Sequence, residues 1–144
     1  AYESLRKQLK KSLDLDYELH VPKNPYIDVS DSFGQEKLYL PFQRENGVAT
    51  LASAAYADPY RVKSQLLKGF RSVETALKNN VSEDAALFVV LPGEGLSEEA
   101  YVSLGKEFDE FYAFVQRHDI YMESHEHLIE LGDSVLQWCQ ANAA

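Results

Sequence analysis

The chain has 144 residues, 45% of them hydrophobic and 26% charged, which is the composition of a folded domain rather than a disordered one. With 14 Lys and Arg against 23 Asp and Glu, the formal net charge is −9. A surface of that sign repels phosphate, which argues against general nucleic-acid binding and against binding to anionic membranes. Its single cysteine, Cys139, forms no intramolecular disulfide, so folding needs no oxidising compartment. No apolar run approaches the ~18 residues of a membrane span. The start, "AYESLRKQLKKSLDLD", lacks the apolar core of a signal peptide. One cytoplasmic domain over residues 1–144 is expected.

In chain order, residues 2–15 place Tyr2, Leu5, Leu9 and Leu13 at helical spacing, with Arg6, Lys7, Lys10 and Lys11 around the back. "HVPKNPYIDVSDSFG" reads as a loop around a short strand, Tyr26–Val29. In "EKLYLPF", Leu38, Leu40 and Phe42 share one face, and Lys37 and Tyr39 the other. "RENG" reads as a hairpin turn leading to a partner strand, "VATLASAAY", so that three strands form a meander.

Asp58 is an N-cap and Pro59 a first helical residue, followed by a stripe of Val62, Leu66 and Phe70. Two continuations stand. The helix runs on through Val73 and Leu77 to Asn79-Asn80, as the spacing favours, or "SVETAL" is a strand, as β-branched Val73 and Thr75 favour. "AALFVVL" (85–91) is an apolar run of strand length and should be central, with Leu87, Val89 and Leu91 buried.

The next stretch, "LPGEGLSEE", has two glycines but no Lys-Ser/Thr to hold a phosphate, and Glu98 and Glu99 would repel one. It reads as a turn into a helix capped by Ser97, although Ala100 denies it a capping box. That helix carries Tyr101, Leu104, Phe108, Phe111 and Val115, with Glu107, Asp109 and Glu110 on its outer face. The phase slips near His118–Ile120. A second stripe, Tyr121, Leu128, Leu131, Val135 and Trp138, then marks an additional C-terminal helix within 119–144. It either folds back as a cover or meets a second copy of the chain.

The fold class expected is therefore α+β: an antiparallel sheet of four to five strands flanked by helices, with an extra C-terminal helix. No nucleophile elbow is present, and Cys139 has no histidine near it in sequence. The metal-like candidates are His118, His125 and His127 in "RHDIYMESHEH". On a helix His125 and His127 point apart, and the His-Glu-x-x-His order is missing, so the cluster reads as a charged surface corner. Neither an enzyme nor a required cofactor emerges.

The order of elements, the late strand ending in Leu-Pro and the entry into an aromatic helix in "ALFVVLPGEGLSEEAYVSLGKEFDEFYAFVQ", together with the acidic total, carry a likeness over about residues 2–117. The chain resembles the class I type III secretion chaperones of the Tir-chaperone type. That resemblance implies a cytoplasmic homodimer without ATPase activity that holds the non-globular N-terminal segment of an effector. The holding surface it implies is apolar: Leu5 and Leu9 on the first helix, and Leu38, Leu40 and Phe42 on the sheet. The family has two strands between its second and third helices, and residues after Asp119 exceed its usual length. An acidic toxin-immunity protein, docking a folded basic partner through Glu107, Asp109 and Glu110, fits those two features.

Overall fold

A computed structural model describes residues 22, 24–31, 34–54, 58–92 and 97–141. The expected helix at 2–15, with Leu5 and Leu9, and the turn at 93–96 lie outside the described residues.

The protein is α+β. Strands β1 (Tyr26–Asp31) and β2 (Gly34–Tyr39) pair antiparallel as a separate two-stranded sheet. After Pro41 the chain forms β3 (Phe42–Arg44), turns through Glu45 and Asn46, and returns as β4 (Gly47–Ser53). Asn46 adopts a φ of 59°, which asparagine tolerates better than most residues. The three-stranded meander is thus divided. Proline has no N–H for a ladder, so β2 ends before Pro41 and a new pairing starts at Phe42.

Helix α1 (Pro59–Lys78) is one element of 20 residues, which resolves the alternative at 71–80 in favour of the helix. Asp58 caps it, accepting from the Tyr60 N–H at 3.0 Å. The chain continues through β5 (Asp84–Val90), α2 (Glu98–Gln116), β6 (Tyr121–His125) and α3 (Leu128–Gln140). Ser97 caps α2 by accepting from the Ala100 N–H at 3.2 Å.

The larger sheet has the order β3-β4-β5-β6. Only β3–β4 is antiparallel, whereas β4–β5 and β5–β6 are parallel. The wholly antiparallel sheet is therefore corrected to a mixed one. Its cause is the helix at 59–78: a full helix between two strands carries the chain back to where it began, so the next strand runs parallel. A single strand, β5, then stands between α1 and α2, where the resemblance implies two. The second correction concerns "YMESH", which is the edge strand β6 rather than the start of the last helix. Asp119, at a φ of 57°, ends the preceding helical turn, and α3 begins only at Leu128.

Alternation along the strands feeds two cores. Val48, Ala52, Leu87, Val89 and Met122 face α1 and α2, where they meet Val62, Leu66, Val73, Leu104 and Phe111. Phe42, Ala49, Ala86 and Phe88 face α3, where they meet Leu131, Val135 and Trp138. The run "AALFVVL" is apolar throughout because β5 is covered on both faces. Gly69 lets α1 approach the sheet closely, since a Cβ there would lie 3.0 Å from Leu87 Cδ1 and 3.2 Å from Ala52 Cβ. Phe108 and Leu91 are only half-buried at the margin of the first core.

Candidate functional site

A cleft of about 740 Å³ lies between the β1–β2 hairpin, the end of β4 and α1. The hairpin contributes Tyr26, Lys37 and Tyr39, and α1 contributes Gln65, Lys68 and Ser72. Its floor is Thr50 to Ser53 of β4. Thr50 fixes the hairpin against the sheet by donating from Oγ1 to the Tyr39 carbonyl at 2.7 Å.

Below that bond the edge of β4 opens. The ladder with β3 stops at Phe42–Ala49, while β4 continues to Ser53. The Ala54 N–H donates to the Val90 carbonyl, so even-numbered residues here bond to β5. Leu51 therefore turns its N–H and C=O away from β5, into the cleft. Among the described residues no strand runs beside it.

Leu38, Leu40 and Phe42, which sequence reasoning makes partner-binding, lie elsewhere. They are 0%, 2% and 0% exposed and belong to the cores. A side chain with no accessible surface cannot meet a partner, so this assignment is corrected. Nor do the three share a face: beyond Pro41, Phe42 turns to the α3 side, against Phe88. Their neighbours Lys37 and Tyr39, on the outer face of the same pattern, are the ones that line the cleft. Leu131, Val135 and Trp138 act as an intramolecular cover, buried against the sheet; Leu128 begins the same helix.

The three histidines do not converge. His118 packs on Phe70 and Phe114, with ring centroids at 5.1 and 4.8 Å, on the α1–α2 side. His127 is exposed at the N-cap of α3. His125 faces α3, and among the described residues no group of three or more His, Cys, Asp or Glu is placed to hold a metal ion.

His125 instead joins a network absent from the sequence reading. Its Nε2 lies 2.7 Å from Ser134 Oγ and 2.9 Å from Glu123 Oε1, and Ser134 Oγ donates to Glu123 Oε1 at 2.8 Å. Tyr121 donates to the other Glu123 oxygen, and Glu130 Oε2 stands 3.7 Å from His125 Nδ1. A serine, a histidine and acids are the parts of a nucleophilic triad, but the wiring differs. A carboxylate on the same nitrogen as the serine makes Nε2 a proton donor, so it cannot take the serine proton. The network ties β6 to α3. Its sequence signal was the alternation Tyr121, Glu123, His125, hidden by reading those residues as helical.

Burial works to raise the Glu123 carboxyl, but hydrogen bonds from Tyr121, Ser134 and His125 outweigh it and hold the group below its ordinary value. A carboxyl depressed by folding stabilises the protein fully above its unfolded pKa and loses that contribution as pH falls through the folded one. Stability should therefore fall as pH drops below the ordinary carboxylate range, and Glu123→Gln should flatten that fall. Urea titrations across acidic pH read this directly; an unchanged slope in the variant would remove Glu123 from the link. Burial, and then the bond to Glu123, pushes the Tyr121 hydroxyl up to about 12.

Cys139 lies in the second core at 4% exposure, and burial pushes its thiol up to about 12. A thiol that stays protonated and covered does not attack disulfide reagents. Its modification should run at the unfolding rate in native buffer and become immediate in denaturant. Immediate reaction in buffer would show α3 detached.

No described helix is long and apolar enough to cross a membrane. No protein-family model, curated protein or solved structure matches the chain.

Proposed function

We propose that this chain is a non-enzymatic cytoplasmic binding protein that holds a non-globular segment of a partner protein, as the secretion chaperones it resembles hold the N-terminal segment of an effector. The observation that carries the reading is the cleft beside β4, which presents the main-chain groups of Leu51 next to Tyr26 and Tyr39. An exposed sheet edge binds extended chain through the ladder, and aromatic walls add contact area at small entropic cost. The binding surface moves accordingly, from the buried Leu38, Leu40 and Phe42 to the cleft.

A second reading rests on α2. Asp109 and Glu110 are exposed there, beside a smaller cleft of about 190 Å³ that also takes in Glu107, Leu67 and Phe111. That face suits a folded basic partner, as in the immunity alternative, and such binding weakens steeply with salt. Hydrogen exchange on the full chain with its native co-purified partner separates the two. Protection of the Leu51 amide, with an unstructured partner segment, supports the chaperone reading. Protection confined to α2, with a folded partner, overturns it.

The homodimer implied by the resemblance needs a surface other than α3, whose apolar stripe is spent on the sheet. Light scattering at micromolar concentration should give twice the 16.3 kDa chain mass under the chaperone reading, and replacing exposed Ile129 on α3 should not change it. A mass near 16.3 kDa would remove the dimer.

A further inference from the structure

We propose that the segment held in the cleft is acidic: it adds as a strand beside Leu51 and sets carboxylates against Lys37 and Lys68. This rests on the cleft being the binding site.

The argument is one of charge placement. The chain carries 23 acids against 14 bases, yet the described residues lining this cleft include two lysines and neither Asp nor Glu. Neither lysine takes part in an ion pair among the described residues. The Lys37 ammonium lies 6.0 Å from the Tyr26 ring centroid, at the outer reach of a cation–π contact, which leaves its charge unneutralised. The nearest acid in sequence, Glu36, is taken by Arg71 at 3.1 Å. Two cations without an ion-pair partner among the described residues thus stand on two walls of one cleft, Lys37 from the hairpin and Lys68 from α1.

The shape selects a peptide. Leu51 offers one donor and one acceptor in strand geometry, which an extended backbone matches and a compact anion does not. Successive side chains of an extended strand point to opposite sides, so one of two neighbouring acidic residues faces the α1 side, on which both the hairpin and α1 pack. Lysine reads such groups as a point charge, without a demand for planar pairing. The net charge of −9 on the chain disfavours a polyanion as a whole, so the fitting partner is a segment with a short acidic stretch.

Fluorescence anisotropy on the full chain tests this with labelled ten-residue peptides of alternating Thr and Val. Their two central residues are Glu-Glu, Gln-Gln or Lys-Lys. The Glu peptide should bind about tenfold tighter than the Gln peptide, and the Lys peptide weakest. Lys37→Glu combined with Lys68→Glu, with an unchanged circular dichroism spectrum, should invert that order. N-methylation of alternate amides in the Glu peptide should weaken it about tenfold or more. Equal binding of the Glu and Gln peptides overturns the acidic preference and leaves the cleft reading standing. Full binding by the N-methylated peptide overturns strand addition. If none of the peptides binds, the cleft reading itself fails.

Discussion

Replacing Phe88 by Ala is expected to cost about 3–5 kcal/mol in a urea titration. Phe88 sits on β5, has no exposed surface, and is the ring around which the second core is arranged. Phe42, Trp138 and Tyr121 present edges to it at centroid distances of 6.3, 6.1 and 6.3 Å. Each belongs to a different element, β3, α3 and β6, so the side chains around the void cannot collapse together. Poor relaxation places the cost in the upper part of the range for such truncations. Phe108→Ala should cost less, because Phe108 is half-buried and stacks on exposed Tyr112. A loss below about 1 kcal/mol at Phe88 would mean that α3 does not cover this face of the sheet.

The elements that could be read from sequence are those whose signals are local. Asp58-Pro59 and Ser97 announce helix starts by chemistry that acts within one turn, and both cap as expected. "AALFVVL" announces a strand buried on both faces. Pairing direction is not local. Whether β4 meets β5 parallel or antiparallel depends on whether residues 71–78 stay helical, and Val73 and Thr75 carry β-propensity that burial in the first core overrides for Val73. The edge strand β6 was missed for a related reason. Five residues containing Glu123, Ser124 and His125 look polar, yet the Glu123 and His125 side chains hydrogen-bond to α3 and to each other, which no periodicity reveals.

The candidate site was half legible. Placing Lys37 and Tyr39 opposite Leu38 and Leu40 was sound, and it already separated the buried face from the cleft face. The error lay in assigning binding to the apolar side. With two cores to fill, that side was needed inside. Lys68 could not be joined to Lys37 from sequence, because the contact between the hairpin and α1 exists only in the tertiary fold.

The second large effect is expected at Arg44, where β3, β5 and α3 converge. Residues Arg44, Gly47 and Asp84 lie in register across three strands. Gly47 leaves room for the arginine to cross it: a Cβ there would stand 2.9 Å from Arg44 Cγ and 3.3 Å from the Trp138 ring. The guanidinium reaches the Asp84 carboxylate, lies 4.4 Å from the Trp138 ring centroid, and donates from Nη1 to the Trp138 carbonyl at 2.9 Å. The last turn of α3 carries no basic residue of its own, so Arg44 supplies the positive charge that the helix C-terminus favours. Removing one partner of a buried pair costs about 3–5 kcal/mol, but Asp84 is 34% exposed. In addition, Arg44 Nε and Trp138 Nε1 are buried without an acceptor among the described residues, which already offsets part of the gain. Arg44→Ala should therefore cost about 2 kcal/mol, and Arg44→Lys should recover little, because an ammonium neither stacks on the indole nor spans both acceptors. A double-mutant cycle with Asp84→Asn should show a coupling of about 1 kcal/mol. Additive losses would separate the ion pair from the clamp, leaving the indole stack and the helix C-terminus as what holds Arg44 in place.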